Sequence, residues 1–159
     1  GRIISLDKRD HRLEMAKAFG ADVTINVEKT SRERRLEMIK DLTRGVGADL
    51  VVEVCGTPDV LDESLRQARV GGRYALIGNI NLDMIGAFDP GNAVRFSKSI
   101  TGVSVYEQWV IPRALDFLLR CRHKYPFDKI ISHTFPLVEI NKAMEFARTG
   151  QPIRVALEC

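Results

Sequence analysis

The sequence predicts an α/β protein with a doubly wound, mostly parallel sheet, and three observations carry that prediction. Short apolar runs rich in β-branched residues recur along the chain, too brief for helices. Between them lie stretches with apolar residues at helical spacing, closed by glycine or proline stop signals. The informative runs end in a small or acidic residue just before the next helix, at Asp7, Gly56 and Gly78. Strands spaced in this way need right-handed crossovers, which set them parallel with helices on both faces of the sheet.

Taken in order, Ile3, Ile4 and Leu6 form the first strand, bounded by Gly1 and Asp7. A helix follows from about Asp10 to Phe19, with Leu13, Ala16 and Phe19 on one face and Gly20 as its stop. Val23–Asn26 is a second strand. Ser31 can cap a helix with Leu36, Ile39 and Leu42 on its inner face, and Gly45 or Gly47 closes it. Leu50–Cys55 is a strongly apolar third strand. Thr57-Pro58 opens a helix whose inner face is Leu61, Leu65 and Ala68, and Gly71-Gly72 turns the chain into a strand at Tyr74–Ile77 that runs into Gly78-Asn79. From Ile80 to about Lys98 the pattern is irregular. A further strand spans Ile100–Val105, and a long helix carries Ala114, Phe117, Leu118 and Cys121. The last residues read as a strand at Ile130–Pro136, a helix at Val138–Arg148 and a strand at Ile153–Leu157 that holds one cation, Arg154.

Composition narrows the function. With 159 residues, 45% of them hydrophobic and 28% charged, the chain can build a real core and shows no sign of disorder. A net charge of +3 with scattered Lys and Arg excludes a nucleic-acid footprint, and the densest cluster, Arg32-Glu33-Arg34-Arg35, reads as a solvated helix face. No apolar run is long enough to span a bilayer and no signal peptide is visible, so a cytoplasmic location is expected. Cys55, Cys121 and Cys159 and the histidines His11, His123 and His133 are too dispersed for a metal motif; Cys55 reads as a small buried hydrophobe.

Asp7 carries the first functional expectation. Ligands of such sheets bind beyond the carboxyl ends of the strands, where an acid can accept hydrogen bonds from both hydroxyls of an adenosine ribose and repel a 2′-phosphate. That chemistry favours NAD over NADP. An Asp between strand and helix can equally serve only as a turn former. Gly56 and Gly78 allow backbone to approach a ribose or nicotinamide with no side chain between.

Four separated motifs then resemble one family: DKRDHRLEMAKAFGAD from Asp7 to Asp22, GADLVVEVCGTPDVL, GGRYALIGNI, and ISHTFPLVEINKAMEFARTGQPIRVAL. In the same order, they resemble the coenzyme half and carboxyl-terminal tail of the medium-chain, zinc-dependent alcohol dehydrogenases. The resemblance implies a Rossmann-type sheet and a set of cofactor contacts. Asp7 would hold the adenosine ribose and Arg12 would lie against the adenosine. Cys55 and Gly56 would flank the adenine side, and Ile77 and Gly78 the nicotinamide. The backbone of Val103 and Val105 would bond the carboxamide, and Arg154 would reach the pyrophosphate, its alternative being a surface arginine on an edge strand. His133 falls in the family's return strand and reads as structural.

The departures shape the remaining expectations. A dinucleotide fold needs a first strand and a Gly-x-Gly-x-x-Gly turn about 20 residues before the acid, and neither is in this sequence. Without that strand, the strands at Ile3 and Leu50 would each keep an unpaired edge. The family's zinc ligands and proton relay are also missing, so the chain is expected to be the carboxyl-terminal part of a longer enzyme, inactive alone, with zinc in the absent catalytic domain. Residues 1–126 would be a partial dinucleotide-binding domain and 127–159 a return segment of the catalytic domain. The implied activity is hydride transfer between a small alcohol or polyol and NAD. A non-catalytic nucleotide-binding module and a zinc-free reductase or synthase on the same scaffold remain open. The resemblance further implies a homodimer or tetramer formed through the strand Ile100–Val105.

Overall fold

A computed structural model describes residues 1–78 and 81–159. Asn79 and Ile80, where the turn after the fourth strand and the start of the irregular stretch were expected, lie outside the described residues. In chain order the elements are β1 (Ile4–Asp7), α1 (Asp10–Ala18), β2 (Val23–Asn26), α2 (Arg32–Leu42), β3 (Ala48–Glu53), α3 (Leu61–Gln67), β4 (Ala68–Leu76), α4 (Pro90–Arg95), β5 (Ser99–Gly102), α5 (Val110–Cys121), β6 (Ile131–Pro136), α6 (Ile140–Arg148) and β7 (Arg154–Glu158). Every strand pairing among them is parallel, as the crossover argument requires. The chain forms two compact units, Gly1–Asn26 with Gln108–Cys159, and Val27–Glu107.

In the first unit β1 pairs with β2, Asp7 opposite Asn26, across the α1 crossover. Helix α1 has Asp10 in its first turn and Lys17 in its last, matching the helix dipole, and it buries Leu13. Its end is set by Gly20, which takes φ +99 so that the Gly20 and Ala21 N–H groups close on the Lys17 and Ala16 carbonyls. Phe19 then stacks on Tyr125 at 5.8 Å and meets Phe127 edge-on at 5.3 Å. Strands β6 and β7 form a second parallel pair, covered by α6 through the buried Ala143.

In the second unit the strand order is β3-β4-β5. Helix α2 starts where expected: the Ser31 hydroxyl accepts the Arg34 N–H at 3.1 Å. Ile39, Leu65, Ala68 and Tyr74 form the core. The burial of Leu65, which is 0% exposed, stabilises this unit by about 2 kcal/mol.

Four local expectations are revised. β4 begins at Ala68 rather than after Gly71-Gly72, because Ala48 already pairs with Ala68 in the ladder. β5 stops at Gly102, since its partner β4 ends at Leu76, opposite Gly102; Val105 lies outside it at φ +47. The irregular stretch holds α4, announced by Asp89 and a proline at its first position. Arg35 is not on a solvated face: it is 7% exposed and grips both oxygens of Glu63 from Nε and Nη2, at 2.5 and 2.8 Å.

Among the described residues β1 pairs only with β2, and β3 only with β4, so each keeps one open edge, as expected. Leu50 and Val52 of β3 are about half exposed as a result. No described helix is long and apolar enough to cross a membrane.

Candidate cofactor-binding site

The residues expected to bind a cofactor fall into two groups, one in each compact unit. Asp7, Arg12 and Arg154 belong to the first. Asp7 closes β1, and its Oδ1 accepts the Arg9 N–H at 2.8 Å, which shapes the turn into α1. Its Oδ2 makes no hydrogen bond among the described residues. One oxygen is therefore a turn former and the other remains able to accept from a ligand.

Arg12 lies in the first turn of α1 and reaches across the unit. Its Nη2 donates to the carbonyls of Gly150 at 3.4 Å and Pro152 at 3.3 Å, tying the carboxyl-terminal segment to α1. Its Nε is buried without a hydrogen bond. Arg154 opens β7 and is exposed, with a guanidinium that makes no hydrogen bond or ion pair among the described residues. Arg12 and Arg154 line one cleft of about 360 Å³ beside Met144 and Leu157 of α6 and β7. The family resemblance implies a cofactor contact for each, and both line this cleft.

The second group is built at the carboxyl ends of β3 and β4. Gly56 has φ +72, and a Cβ there would meet the Gly78 carbonyl oxygen at 2.7 Å. A Cβ on Gly78 would run into the Gly56 nitrogen and meet the Val54 carbonyl carbon at 2.6 Å. Only two glycines fit such a crossing of backbones. Ile77 stands beside it, partly exposed, its N–H on the Glu53 carbonyl at 3.0 Å. Val103 donates its N–H to the Leu76 carbonyl at 2.9 Å, and Val105, 87% exposed, takes a backbone conformation that β-branched residues avoid.

Cys55 corrects an expectation. It is exposed, not buried, because β3 ends at Glu53 and the Glu53 carboxylate pulls the next two N–H groups into a turn, Cys55 at 2.6 Å and Gly56 at 2.8 Å. Desolvation, and then the hydrogen bond to Glu53, push its thiol above the usual cysteine value.

Glu53 is the residue sequence reasoning missed. The signal was present: one acid inside the apolar run Leu50–Val54, three residues before a glycine. It is 4% exposed. Burial alone would raise its carboxyl, but hydrogen bonds from the Cys55 thiol and from the Gly56, Cys55 and Gly78 N–H groups outweigh that and hold it below the usual glutamate value. His133 is exposed and lies edge-on to Phe146 at 4.6 Å.

Parallel strands joined by crossover helices, with an acid and two glycines at strand ends, define a Rossmann-type α/β protein. The chain belongs to the zinc-binding dehydrogenase family, whose model matches residues 1–120. It is 33% identical over 160 residues to an L-threonine 3-dehydrogenase of Bacillus subtilis, covering 98% of this chain and 44% of that protein. Among solved structures it matches an alcohol dehydrogenase from Thermotoga maritima with a TM-score of 0.88 at 28% identity, over 99% of this chain and 44% of the other. It also matches a benzyl alcohol dehydrogenase from Acinetobacter calcoaceticus with a TM-score of 0.82 at 28% identity, over 98% and 42% of the two chains. The chain thus spans less than half the length of these relatives.

Proposed function

We propose that this chain forms the coenzyme seat of an NAD-linked alcohol dehydrogenase, which moves a hydride between a small alcohol or polyol and NAD. The observation that carries the reading is Asp7: a carboxylate at the end of a parallel strand, one oxygen holding the turn and the other without a hydrogen bond among the described residues. It stands in a chain that aligns with a threonine dehydrogenase over nearly all of its length.

The residues of each unit suit one part of a dinucleotide. Asp7 would accept from the adenosine ribose, and Arg12, held by the Gly150 and Pro152 carbonyls, would present a fixed charge near the adenosine. Among the described residues the Arg154 guanidinium has no partner to give up before it meets a pyrophosphate. Cys55 and Gly56 would flank the adenine side, and Ile77 and Gly78 the nicotinamide. Val103 has its N–H engaged by Leu76, which leaves its carbonyl to accept from a carboxamide, with Val105 beyond it. When bound, the nicotinamide supplies the hydride acceptor. The residues present do not fit zinc: among the described residues no three of His, Cys, Asp and Glu are grouped to hold a metal ion.

In this reading residues 1–126 serve as dinucleotide-binding domain and 127–159 as a return segment toward a catalytic domain. The protein is cytoplasmic and assembles as a homodimer or tetramer along β5, whose residues are all exposed. The test is the replacement Asp7→Ser in the full protein. NADH binding, followed by fluorescence titration, should weaken and discrimination against NADPH should relax. Unchanged selectivity would remove the role given to Asp7, and a parent protein that binds neither dinucleotide would remove the function.

A further inference from the structure

Glu53 is bonded to two separate corners of the second unit. Its Oε1 accepts the N–H groups of Cys55 and Gly56 in the corner after β3. Its Oε2 accepts the Gly78 N–H at 3.2 Å in the corner after β4, and its main-chain carbonyl accepts the N–H groups of Ile77 and Gly78, both at 3.0 Å. The two corners also touch directly, since Gly56 and Gly78 cross with no room for a Cβ.

We infer that Glu53 is a positioning residue for the coenzyme: by binding both corners through one side chain, it sets the backbone of Gly56 and of Ile77-Gly78 at one fixed offset. The inference rests on the function proposed above and adds a role for a residue that touches no ligand itself. A carboxylate suits the task because it only accepts and has lone pairs for three N–H groups at once. A glutamine of the same shape would accept through one oxygen and turn an NH2 toward N–H donors. At least one corner would then lose its side-chain bond, the corner after β4 keeping only the main-chain carbonyl, and a dinucleotide that needs both at the same offset would bind less well.

The experiment uses the full protein and its variants Glu53→Gln and Glu53→Asp. NADH affinity is measured by calorimetry at a temperature where circular dichroism shows each variant folded. A carboxylate that only stabilises the fold would lower the melting temperature and leave the folded protein's NADH affinity unchanged. The expected result is NADH binding about tenfold weaker in Glu53→Gln, the loss of one or two charge-assisted hydrogen bonds, with Glu53→Asp between it and the parent. NADH affinity of folded Glu53→Gln equal to the parent's overturns the inference. If Glu53→Gln does not fold, Glu53→Asp decides: weakened NADH binding supports the role, and unchanged binding overturns it. A parent protein that fails to bind NADH is a separate outcome, which sinks the proposed function and this inference with it.

Discussion

Replacing Arg35 with Met tests the ion pair at the centre of the second unit. The Arg35 guanidinium donates to both Glu63 oxygens, to the Val27 carbonyl at 2.9 Å and to the Thr30 carbonyl, with side chains only 8% and 12% exposed on the two partners. Methionine fills most of the volume and supplies none of these donors. Breaking a buried pair by removing one partner costs about 3–5 kcal/mol, because the remaining charge is left in a poorly solvated place. Glu63 would keep Arg32 at 3.5 Å and the Gln67 amide at 3.2 Å, and Arg32 is 61% exposed. Weak support of that kind places the expected loss near the lower limit, about 3 kcal/mol. For a cooperative unit of 150–250 residues that lowers the melting temperature by about 6–12 °C. Urea unfolding of the parent and of Arg35→Met measures it. A difference below about 0.5 kcal/mol, the range of an ordinary surface substitution, would refute the reasoning. The double variant Arg35→Met with Glu63→Met separates charge from carbonyls. It should recover most of the stability, since replacing both members of a buried pair by apolar groups is often neutral; no recovery would put the cost on the Val27 and Thr30 carbonyls instead.

Three further outcomes are expected. Gly56→Ala should cost about 2–4 kcal/mol, from the left-handed backbone and from the Gly78 oxygen in the way of a Cβ; Gly45→Ala, at φ +82 with nothing within 4 Å of its Cβ, should cost only the backbone part, and equal losses in urea unfolding would contradict the close crossing. Asp62 is held below the usual aspartate range, first by Arg66, so the unfolded chain binds its proton more tightly than the folded one. Its stabilisation is complete above the ordinary aspartate pKa and drains as pH falls through the folded value; a pH series of melting temperatures should flatten on that acid limb in Asp62→Asn, and an unchanged limb would deny the coupling. Sedimentation at micromolar concentration should show a dimer or larger, with Ile100→Lys shifting it toward monomer; a parent that sediments as a monomer removes association through β5.

Apart from α4, which lies in a stretch read as irregular, the order and type of the elements were legible because their causes are local. The Ser31 cap, the Gly20 stop and the β-branched runs at Ile4 and Val23 act within a few residues of themselves, and each element appears where its signal stands. Strand ends were less legible. β3 and β5 stop where a partner or a carboxylate stops them, so Cys55 and Val105 fall outside strands that their own sequence would continue. Asp7 could be read as a ribose acceptor because a strand end before a helix is a local feature. Glu53 could not, because its function as an anchor needs Gly78, 25 residues away.

The sequence by itself determined that this is a parallel α/β chain with the motifs of a dehydrogenase coenzyme half, since periodicity, caps and motif order are written in neighbouring residues. Only the tertiary structure decided which charged residues are inside. Arg35 lies in the same run as the exposed Arg32 and Arg34, and what buries it is Glu63, 28 positions on. Arg12 is likewise committed by carbonyls 138 and 140 positions away. The environment of a charge is set by whatever the fold brings against it, and no local pattern records a partner that distant.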